Sequence, residues 1–363
     1  LENHIRYAEL IWAAKNSGIT YVCISSQSSV EDAAYIVGNS DAKLLISSAL
    51  LASVALPVAQ RCGGGLLYLM LDGADAPFQS YEPLLASEAP LPMHGRRRGP
   101  SMLYSSGTTG RPKGVRVALP DEPPETPPRR FAMLVSQYGF AQDTVLLTPG
   151  PLYHAAPGRY MVTVLRSGGT TVAFRKFDPE NTLHAIERYR ATHGLFVPTM
   201  FIRMLKLDAE ARAKYELSSL RCAIHLGAPC PAPVKEQMIE WLGPIVEALY
   251  GGTEAVGHTF INSAEWLAHR GSVGRPAAGC RIRILDEQGC EVPLGTPGLI
   301  TMNNGHRFEY HKDPDKTRSS IDADGWSSLG DIGYVDAEGY LYLTDRQSHM
   351  IISGGVNIYP QEA

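Results

Sequence analysis

The first part of the chain alternates between helix and strand patterns, and this alternation restricts the fold more than any other feature of the sequence. Apolar residues recur at helical spacing, and short apolar runs follow them after turn residues. Three helix–strand pairs come in succession: 7–14 with 19–24, 31–37 with 43–46, and 50–59 with 66–71. Parallel strands need such crossover helices, and strands buried on both faces are apolar throughout. We therefore expect an α/β fold with layered, mostly parallel sheets and helices on both faces.

The same rhythm continues in the middle of the chain and changes near Gly271. Strands are predicted at 144–148, 195–197, 222–226 and 245–249, and helices at 181–193 and 234–242. Beyond Gly271, short strand patterns at 281–285, 299–301 and 339–344 are separated by Gly, Pro, Asp and Asn clusters. We expect residues 1–270 to form α/β subdomains and residues 271–345 to form a smaller β-rich subdomain, a distorted barrel.

Composition excludes several classes of protein. A length of 363 residues exceeds the size at which one hydrophobic core usually keeps growing. The formal net charge of −4 gives no global attraction to nucleic acid or to an anionic membrane, so neither is expected as a partner. No apolar run is long enough to span a bilayer, and the six cysteines lack metal or disulfide spacing, which favours a cytoplasmic location. Because Leu1 rather than Met leads directly into a helical pattern, we expect an internal piece of a longer polypeptide.

A proline-rich segment interrupts the α/β rhythm at residues 119–128, where the sequence is L-P-D-E-P-P-E-T-P-P. Proline removes a backbone donor and cannot sit inside regular elements, so the segment is predicted to be a surface loop. A partner-binding proline-rich segment is the functional alternative.

The most informative segment is a hydroxyl- and glycine-rich loop at residues 103–115, with the sequence L-Y-S-S-G-T-T-G-R-P-K-G-V. Glycines let backbone N–H groups close around an anion, hydroxyls donate further hydrogen bonds, and Lys113 supplies charge. These are the groups that a polyphosphate needs. The loop is not a Walker A motif, because its lysine follows Pro112 and precedes Gly114.

This loop resembles the signature of the adenylate-forming (AMP-binding) superfamily, which contains acyl-CoA synthetases, luciferases and the adenylation domains of peptide synthetases. The resemblance implies that the loop binds the phosphates of ATP through Ser105, Ser106, Gly107, Thr108, Thr109, Gly110 and Lys113.

A second segment, Y-G-G-T-E at residues 250–254, resembles another core motif of the family. The resemblance places Tyr250 beside the adenine and implies nucleotide contacts for Gly251, Gly252 and Thr253. It also implies a magnesium ion on the phosphates, held by Glu254 together with Ser105. A carboxylate suits this role because Mg²⁺ prefers hard oxygen ligands that it shares with nucleotide phosphates.

Two further segments follow the family order. Gly227, Ala228 and Pro229 are similar to the adenine-side loop, and residues 272–276 (S-V-G-R-P) resemble the next landmark. Asp331, in L-G-D-I-G, matches the position whose carboxylate takes the ribose hydroxyls, since an ionised carboxylate can accept two hydroxyl donors.

The end of the chain resembles the hinge of the family, from T-D-R at residues 344–346 to N-I-Y-P at 357–360. The resemblance places Arg346 near the ribose and phosphates and makes residues 346–363 the hinge and the start of a small mobile domain. His349 stands where the hinge pattern usually carries an acid. We expect the C-terminal domain, with its reactive lysine, to be missing from this chain.

Among acyl-activating enzymes, P-L-Y-H-A-A-P at residues 151–157 resembles the segment that carries a gate histidine at the acid pocket. His154 is therefore a candidate for a substrate-pocket role. His225 and His258 are candidates for pocket lining only.

The resemblance implies an ATP-dependent acyl-CoA synthetase acting on a fatty or other hydrophobic acid, as a monomer or homodimer. The acid attacks the α-phosphate, an acyl-adenylate forms with release of pyrophosphate, and CoA, the second substrate, takes the acyl group. Lys113, Glu254, His154 and Arg346 are the predicted catalytic residues; ATP, Mg²⁺ and CoA are the expected cofactors. Two alternatives stay open: a ligase that loads a carrier protein, and a non-catalytic relative that binds nucleotide or acyl-adenylate.

Overall fold

The fold is known from a computed structural model, which describes residues 1–89, 97–105, 111–117, 121–346, 351–353 and 356–358. The helices are α1 (Arg6–Asn16), α2 (Val30–Asn39), α3 (Ala52–Cys62), α4 (Tyr81–Ser87), α5 (Arg129–Tyr138), α6 (Ala155–Arg166), α7 (Pro179–Tyr189), α8 (Pro198–Leu205), α9 (Ala209–Ala213), α10 (Ala232–Leu242), α11 (Ser263–Ala268) and α12 (Pro314–Ser320).

The strands begin with the N-terminal and central groups: β1 (Leu44–Ser48), β2 (Leu67–Leu71), β3 (Gln79–Ser80), β4 (Met102–Ser105), β5 (Lys113–Val117), β6 (Val145–Thr148), β7 (Thr170–Ala173), β8 (His193–Phe196), β9 (Cys222–His225) and β10 (Val246–Gly251). The later strands are β11 (His258–Ile261), β12 (Ser272–Pro276), β13 (Arg281–Leu285), β14 (Gly298–Asn303), β15 (Phe308–Tyr310), β16 (Ser327–Val335), β17 (Leu341–Arg346), β18 (Ile351–Ser353) and β19 (Val356–Ile358).

One continuous sheet of 11 strands organises the described part of the chain, in the order β13-β14-β16-β17-β12-β11-β10-β9-β8-β6-β7. The strands from β7 to β10 are parallel to one another, and every pairing from β10 to β13 is antiparallel. Separate small sheets are formed by β1-β2-β3, which is parallel, and by β15-β5-β4, which is antiparallel.

The parallel half of the sheet is covered by helices on both faces. Leu146 packs into one apolar cluster with α5 and α6, whereas the next residue, Leu147, packs into another with α7, α8 and α10. Leu195 and Phe196 of β8 divide between the same two clusters. Successive side chains of a strand point to opposite faces, so a strand covered on both sides must be apolar at every position. The layered α/β fold predicted from the sequence is confirmed.

The antiparallel half has its own core, and this core reaches the small sheet that carries Lys113. Val115 of β5 packs in one cluster with Ile284, Ile300 and Leu341 of the large sheet. The strand β15 pairs with β5 and contributes Phe308 to the same cluster. Burial of these side chains fixes β5 against the antiparallel half.

Two local predictions were wrong. Residues 19–24 form no strand; Tyr21 makes an isolated bridge to Ser101, and its side chain packs with α6 instead. The helix predicted over 181–193 ends at Tyr189, because Arg190 takes a left-handed conformation (φ 48°) that stops the helix. The division of the chain at residues 270 and 346 stays a prediction; antiparallel pairing already begins at β11.

No described helix combines the length and the apolar character that a bilayer crossing requires.

Candidate nucleotide and acid site

Three segments singled out in the sequence follow parallel strands of one sheet. Residues 151–154 follow β6, Gly227 and its neighbours follow β9, and residues 252–254 follow β10. The carboxyl ends of parallel strands meet at one edge, which is where ligands bind in open α/β sheets. The sheet therefore gathers these segments at a single edge, although they are far apart in sequence.

Lys113 and Glu254 contact the same side chain, Tyr310. The Lys113 ammonium lies 5.9 Å from the centre of the Tyr310 ring, and the Tyr310 hydroxyl donates to a Glu254 carboxylate oxygen at 3.2 Å. Lys113 also forms an ion pair with Asp313 at 3.2 Å. The sequence predicts that Lys113 and Glu254 share a cleft, and the structure brings them together.

Lys113 begins β5, directly across from the end of β4. Ser105 pairs with Lys113 in the antiparallel register, so the loop that joins the two strands starts and ends at adjacent positions. Gly114 leaves room for close packing at this hairpin, since an added Cβ would lie 3.1–3.2 Å from side-chain atoms of Tyr104, His311 and Met102. Ser106, Gly107, Thr108, Thr109 and Gly110 lie outside the described residues.

The segment that presents Glu254 is tightly constrained. Ala255 takes a left-handed backbone conformation (φ 61°), and the side-chain amide of Asn304 donates to its carbonyl at 2.8 Å. A Cβ at Gly252 would lie 2.5 Å from Leu329 and 3.0 Å from a Glu254 carboxylate oxygen. Gly252 therefore lets the turn approach Leu329 without displacing the carboxylate.

The carboxylate of Glu254 suits magnesium in its chemistry. Within the described ranges, no group of three or more His, Cys, Asp or Glu side chains could hold a metal ion. Glu254 could therefore bind Mg²⁺ only in combination with oxygen atoms from elsewhere, such as those of a nucleotide. This arrangement fits the predicted magnesium role; for Ser105 the structure describes the backbone alone.

Tyr250 and Asp331 form a second polar pair. The Tyr250 hydroxyl donates to an Asp331 carboxylate oxygen at 2.7 Å, and Asp331 is buried. Arg346 ends β17 directly opposite Asp331 in the strand register. The predicted ribose and phosphate residues therefore stand on neighbouring strands.

The loop after β9 exposes Gly227, Ala228 and Pro229. Gly227 has a φ of 87°, a conformation that only glycine adopts without strain. Thr253, in the turn after β10, is half-buried. Both loops stand at the carboxyl edge, as the resemblance implies for residues beside adenine.

His154 is held at the N-cap of α6 by an anchored loop. The side-chain nitrogen of Asn3 donates to the carbonyl of Gly150 at 2.9 Å, and the side-chain oxygen of Asn3 accepts from the N–H of Leu152 at 2.7 Å. The His154 ring packs on Tyr153, with ring centres 4.5 Å apart. Its side chain lines a cavity and remains exposed, and partial desolvation by the surrounding protein lowers the pKa of His154.

The cavity beside His154 has a volume of about 280 Å³. Its walls come from α1, α5 and α6 and from the proline-rich segment, including Pro124, Pro127 and Pro128. The proline-rich segment was predicted to be a plain surface loop; in the structure its described part, residues 121–128, covers one side of this cavity. A void of this size can hold a small or medium-sized organic acid.

The two other candidate histidines lie in the interior. His225 packs against Phe201, with ring centres 5.6 Å apart, and burial lowers its pKa. His258 is buried beside Gly251, and burial together with nearby Arg130 and Arg159 lowers its pKa to about 3. Neither ring is among the described residues that line the cavity beside His154, and the pocket-lining role of both stays a prediction. Both sit within buried strands of the large sheet, whose side chains face the packed layers.

Sequence reasoning missed Tyr310 and Asp313. Asp313 precedes Pro314 and accepts from the N–H of Lys316 at 3.0 Å, a helix-start pattern that the sequence displays. Nothing in the sequence marks Tyr310, because its role depends on the pairing of β15 with β5.

Comparisons with known proteins agree with this geometry. A family described as "AMP-binding enzyme" matches residues 1–308. The chain is 30% identical to a feruloyl-CoA synthase from an Amycolatopsis species, over 99% of this chain and 70% of that protein. It is 34% identical to a 2-succinylbenzoate–CoA ligase from Bacillus pumilus, over 72% of this chain and 52% of that protein.

A solved structure also shares the fold. The amide bond synthetase McbA from Marinactinospora thermotolerans superposes with a TM-score of 0.87 at 26% identity, over 99% of this chain and 71% of that one. The family match covers most of the chain, and the match to the feruloyl-CoA synthase covers nearly the whole of this chain and 70% of that protein. The chain belongs to the family of AMP-binding, adenylate-forming enzymes.

Proposed function

We propose that this chain activates a carboxylic acid with ATP, forming an acyl-adenylate and pyrophosphate, and passes the acyl group to CoA. The observation that carries the proposal is the meeting of Lys113 and Glu254 at Tyr310, beside the carboxyl edge of a parallel sheet. A phosphate-binding cation and a metal-binding acid then face the same nucleotide.

The nucleotide would lie along this edge. Lys113 and the loop before it, with Ser106 and Thr108, would hold the phosphates, and Asp331 would accept from the ribose hydroxyls. Tyr250 supports this assignment, because its hydrogen bond holds the Asp331 carboxylate in place. Glu254 would hold Mg²⁺ together with phosphate oxygens, and the bound ion would offset the negative charge that the two anionic substrates bring together.

The chemistry requires positioning more than covalent help from the protein. The substrate carboxylate attacks the α-phosphorus, the bond to the pyrophosphate oxygen breaks, and the mixed anhydride remains bound. Lys113 and Arg346 would stabilise charge on the phosphates during this step. The CoA thiol then attacks the carbonyl carbon and AMP leaves with the electron pair of the broken C–O bond.

The acid would occupy the cavity beside His154. Because the lowered pKa of His154 favours its neutral imidazole, this residue would orient the acid through a hydrogen bond rather than through charge. The relatives are named for feruloyl and 2-succinylbenzoate substrates. A fatty or other hydrophobic acid was expected from the sequence, but the basic cavity lining gives no support to a fatty acid.

Two alternatives keep the same nucleotide site. A ligase that loads a carrier protein would form the adenylate and transfer its acyl group, with release of AMP, to the pantetheine thiol of a carrier protein instead of CoA. A non-catalytic relative would bind ATP without exchanging pyrophosphate. The contact between Glu254 and Tyr310 argues against the second alternative, since a mere binder has no need for a positioned metal-binding acid.

The test is ATP–pyrophosphate exchange by the full-length protein against a panel of aliphatic and aromatic acids, followed by mass spectrometry of the products with CoA. We expect acid-dependent exchange and an acyl-CoA product. Exchange without acyl-CoA would favour the carrier-protein ligase, and ATP binding without exchange for any acid would contradict the proposed function.

A further inference from the structure

The cavity beside His154 has a strongly basic lining. Six cationic side chains reach it from four segments of the chain: Lys15, Arg98, Arg129, Arg130, Arg159 and Arg166. Among the described residues of its lining, Glu122 is the only carboxylate. A cavity of about 280 Å³ with this charge imbalance is unusual for an apolar substrate.

Two of these cations are already paired with the wall. Arg98 forms an ion pair with Glu122 at 3.3 Å and donates to the carbonyl of Thr126. Arg166 donates to the carbonyls of Pro124, at 2.9 Å, and Glu125. These two arginines therefore have a structural task, which is to hold the proline-rich segment over the cavity.

Arg130 and Arg159, in contrast, do not bind the proline-rich segment through hydrogen bonds or ion pairs in the described part of the protein. Neither guanidinium forms an ion pair or a hydrogen bond with another side chain in the described part of the protein. Both side chains are half-buried along the cavity wall, and their partial removal from water lowers the pKa of each, with a further contribution to Arg130 from neighbouring Arg159. Lys15 shares this environment; burial and the charge of Arg159 lower its pKa to about 8.

Holding two unpaired cations close together in a partly dehydrated cavity costs free energy unless an anion accompanies them. Arginine cannot relieve the cost by losing its proton, and its planar fork matches the two oxygens of a carboxylate. If Arg130 and Arg159 had a purely structural role, their two neighbouring positive charges would have no anion to compensate them.

We propose that the acid activated by this protein carries a second anionic group, a carboxylate distal to the one that is adenylated, and that Arg159 and Arg130 bind it. This inference rests on the proposed function, because it assigns the substrate class of the same site. In this proposal Arg159 binds the distal carboxylate directly, and Arg130 contributes a second positive charge that helps to balance it.

The axial spacing of His154 and Arg159 on α6 gives an approximate scale for such a substrate. His154 caps the helix and Arg159 lies five residues further on, so they stand about 7.5 Å apart along the helix axis. A benzene ring or a chain of four methylene groups separates two carboxylates by a comparable distance. The structure therefore favours aromatic or medium-chain dicarboxylic acids over long monocarboxylic acids.

The test compares matched acids in the exchange assay: terephthalate with 4-methylbenzoate, and adipate with hexanoate. We expect kcat/KM to favour the dicarboxylate in each pair by roughly ten-fold or more, because a site built for a polar group rejects an analogue that leaves its groups unpaired. In Arg159→Gln this ratio should fall by roughly ten-fold or more, whereas Arg159→Lys should keep much of it. Arg188→Gln, at an exposed position on α7, is the control and should leave the ratio unchanged.

Equal or better use of the monocarboxylates by the wild-type protein would overturn the proposal, as would an unchanged ratio in Arg159→Gln. A raised KM for CoA with an unchanged acid ratio would also overturn it, since the cations would then bind CoA phosphates. If no acid supports exchange, the proposed function fails, and calorimetry on the ATP-free protein decides the inference. Tighter binding of terephthalate to wild type than to Arg159→Gln or Arg130→Gln would then support it, and equal or absent binding would contradict it.

Discussion

The phenol of Tyr310 donates a hydrogen bond to the carboxylate of Glu254 across 3.2 Å. Burial and the neighbouring carboxylate raise the pKa of Tyr310, so the phenol keeps its proton at neutral pH and remains a donor. The same ring faces the ammonium of Lys113 at 5.9 Å. Tyr310 therefore connects the predicted phosphate-binding cation with the predicted metal-binding acid.

Tyr310→Phe removes this hydrogen bond and keeps the ring. Because a hydrogen bond to a charged group is worth about 1.5–3 kcal/mol, we expect exchange at low ATP concentration to fall roughly ten-fold or more. The matched control is Tyr215→Phe, which removes a similar phenol–carboxylate contact to Glu180 at 2.9 Å away from the site. Equal rates in the two variants would contradict a positioning role for Tyr310.

Asp331→Asn tests the ribose assignment. If the carboxylate accepts the ribose hydroxyls, the wild-type protein should lose affinity when ATP is replaced by 2′-deoxy-ATP or 3′-deoxy-ATP, by about 1–2 kcal/mol per lost hydrogen bond. In Asp331→Asn the loss of affinity for the deoxynucleotides should be smaller, because the charged acceptor of the ribose hydroxyls is already absent. Steady-state KM values for the three nucleotides measure the difference. An equal loss in both proteins would place the ribose elsewhere.

Gly252→Ala should disturb Glu254 directly, since the added Cβ would lie 3.0 Å from its carboxylate and 2.5 Å from Leu329. We expect lower exchange together with a stability loss of about 1–3 kcal/mol from overpacking. Gly38→Ala in α2 is the control, because nothing lies within 4 Å of its added Cβ. It should be neutral or slightly stabilising. Full activity of Gly252→Ala would show that the Glu254 position is unimportant.

The motifs could be predicted from the sequence because the residues within each are adjacent in the chain and carry their chemistry in their order. Their convergence also follows from the fold class, since loops after parallel strands share one edge. Tyr310 could not be found in this way. Its contact with Glu254 depends on the pairing of β15 with β5, and no local pattern encodes a pairing between distant segments.

The basic cavity was missed for a related reason. Arg159 and Arg166 are ordinary helix residues in the sequence, and Arg130 follows a proline-rich segment that was predicted to be a surface loop. Their shared environment arises from the packing of α5 against α6 under that segment. The apolar run at 19–24 led to the wrong prediction of a strand. Its side chains pack toward the cavity wall, and the run pairs with no strand among the described residues.

Acid should destabilise the protein through His258. Its pKa is about 3 in the folded state and near 6.5 when exposed, so between these values the unfolded chain binds more protons. Stability is therefore present above about pH 6.5 and is lost as the pH falls toward 3. From pH 7 to pH 5 this residue alone should remove on the order of 2 kcal/mol.

Urea unfolding at pH 7 and pH 5 measures this effect. His258→Gln should show a smaller loss of unfolding free energy over the interval than the wild-type protein. His184→Gln, at an exposed position on α7, should behave like the wild type. The same pH dependence in all three proteins would mean that His258 is not responsible for the acid sensitivity.

The most direct test of the nucleotide site is ATP–pyrophosphate exchange in Lys113→Ala and Glu254→Gln, compared with Lys206→Ala and Glu240→Gln at exposed positions. If Lys113 and Glu254 hold one magnesium nucleotide, both variants should lose exchange by roughly a hundred-fold or more, and the two controls should keep it. Wild-type exchange in Lys113→Ala and Glu254→Gln would contradict the assignment of this cleft to ATP.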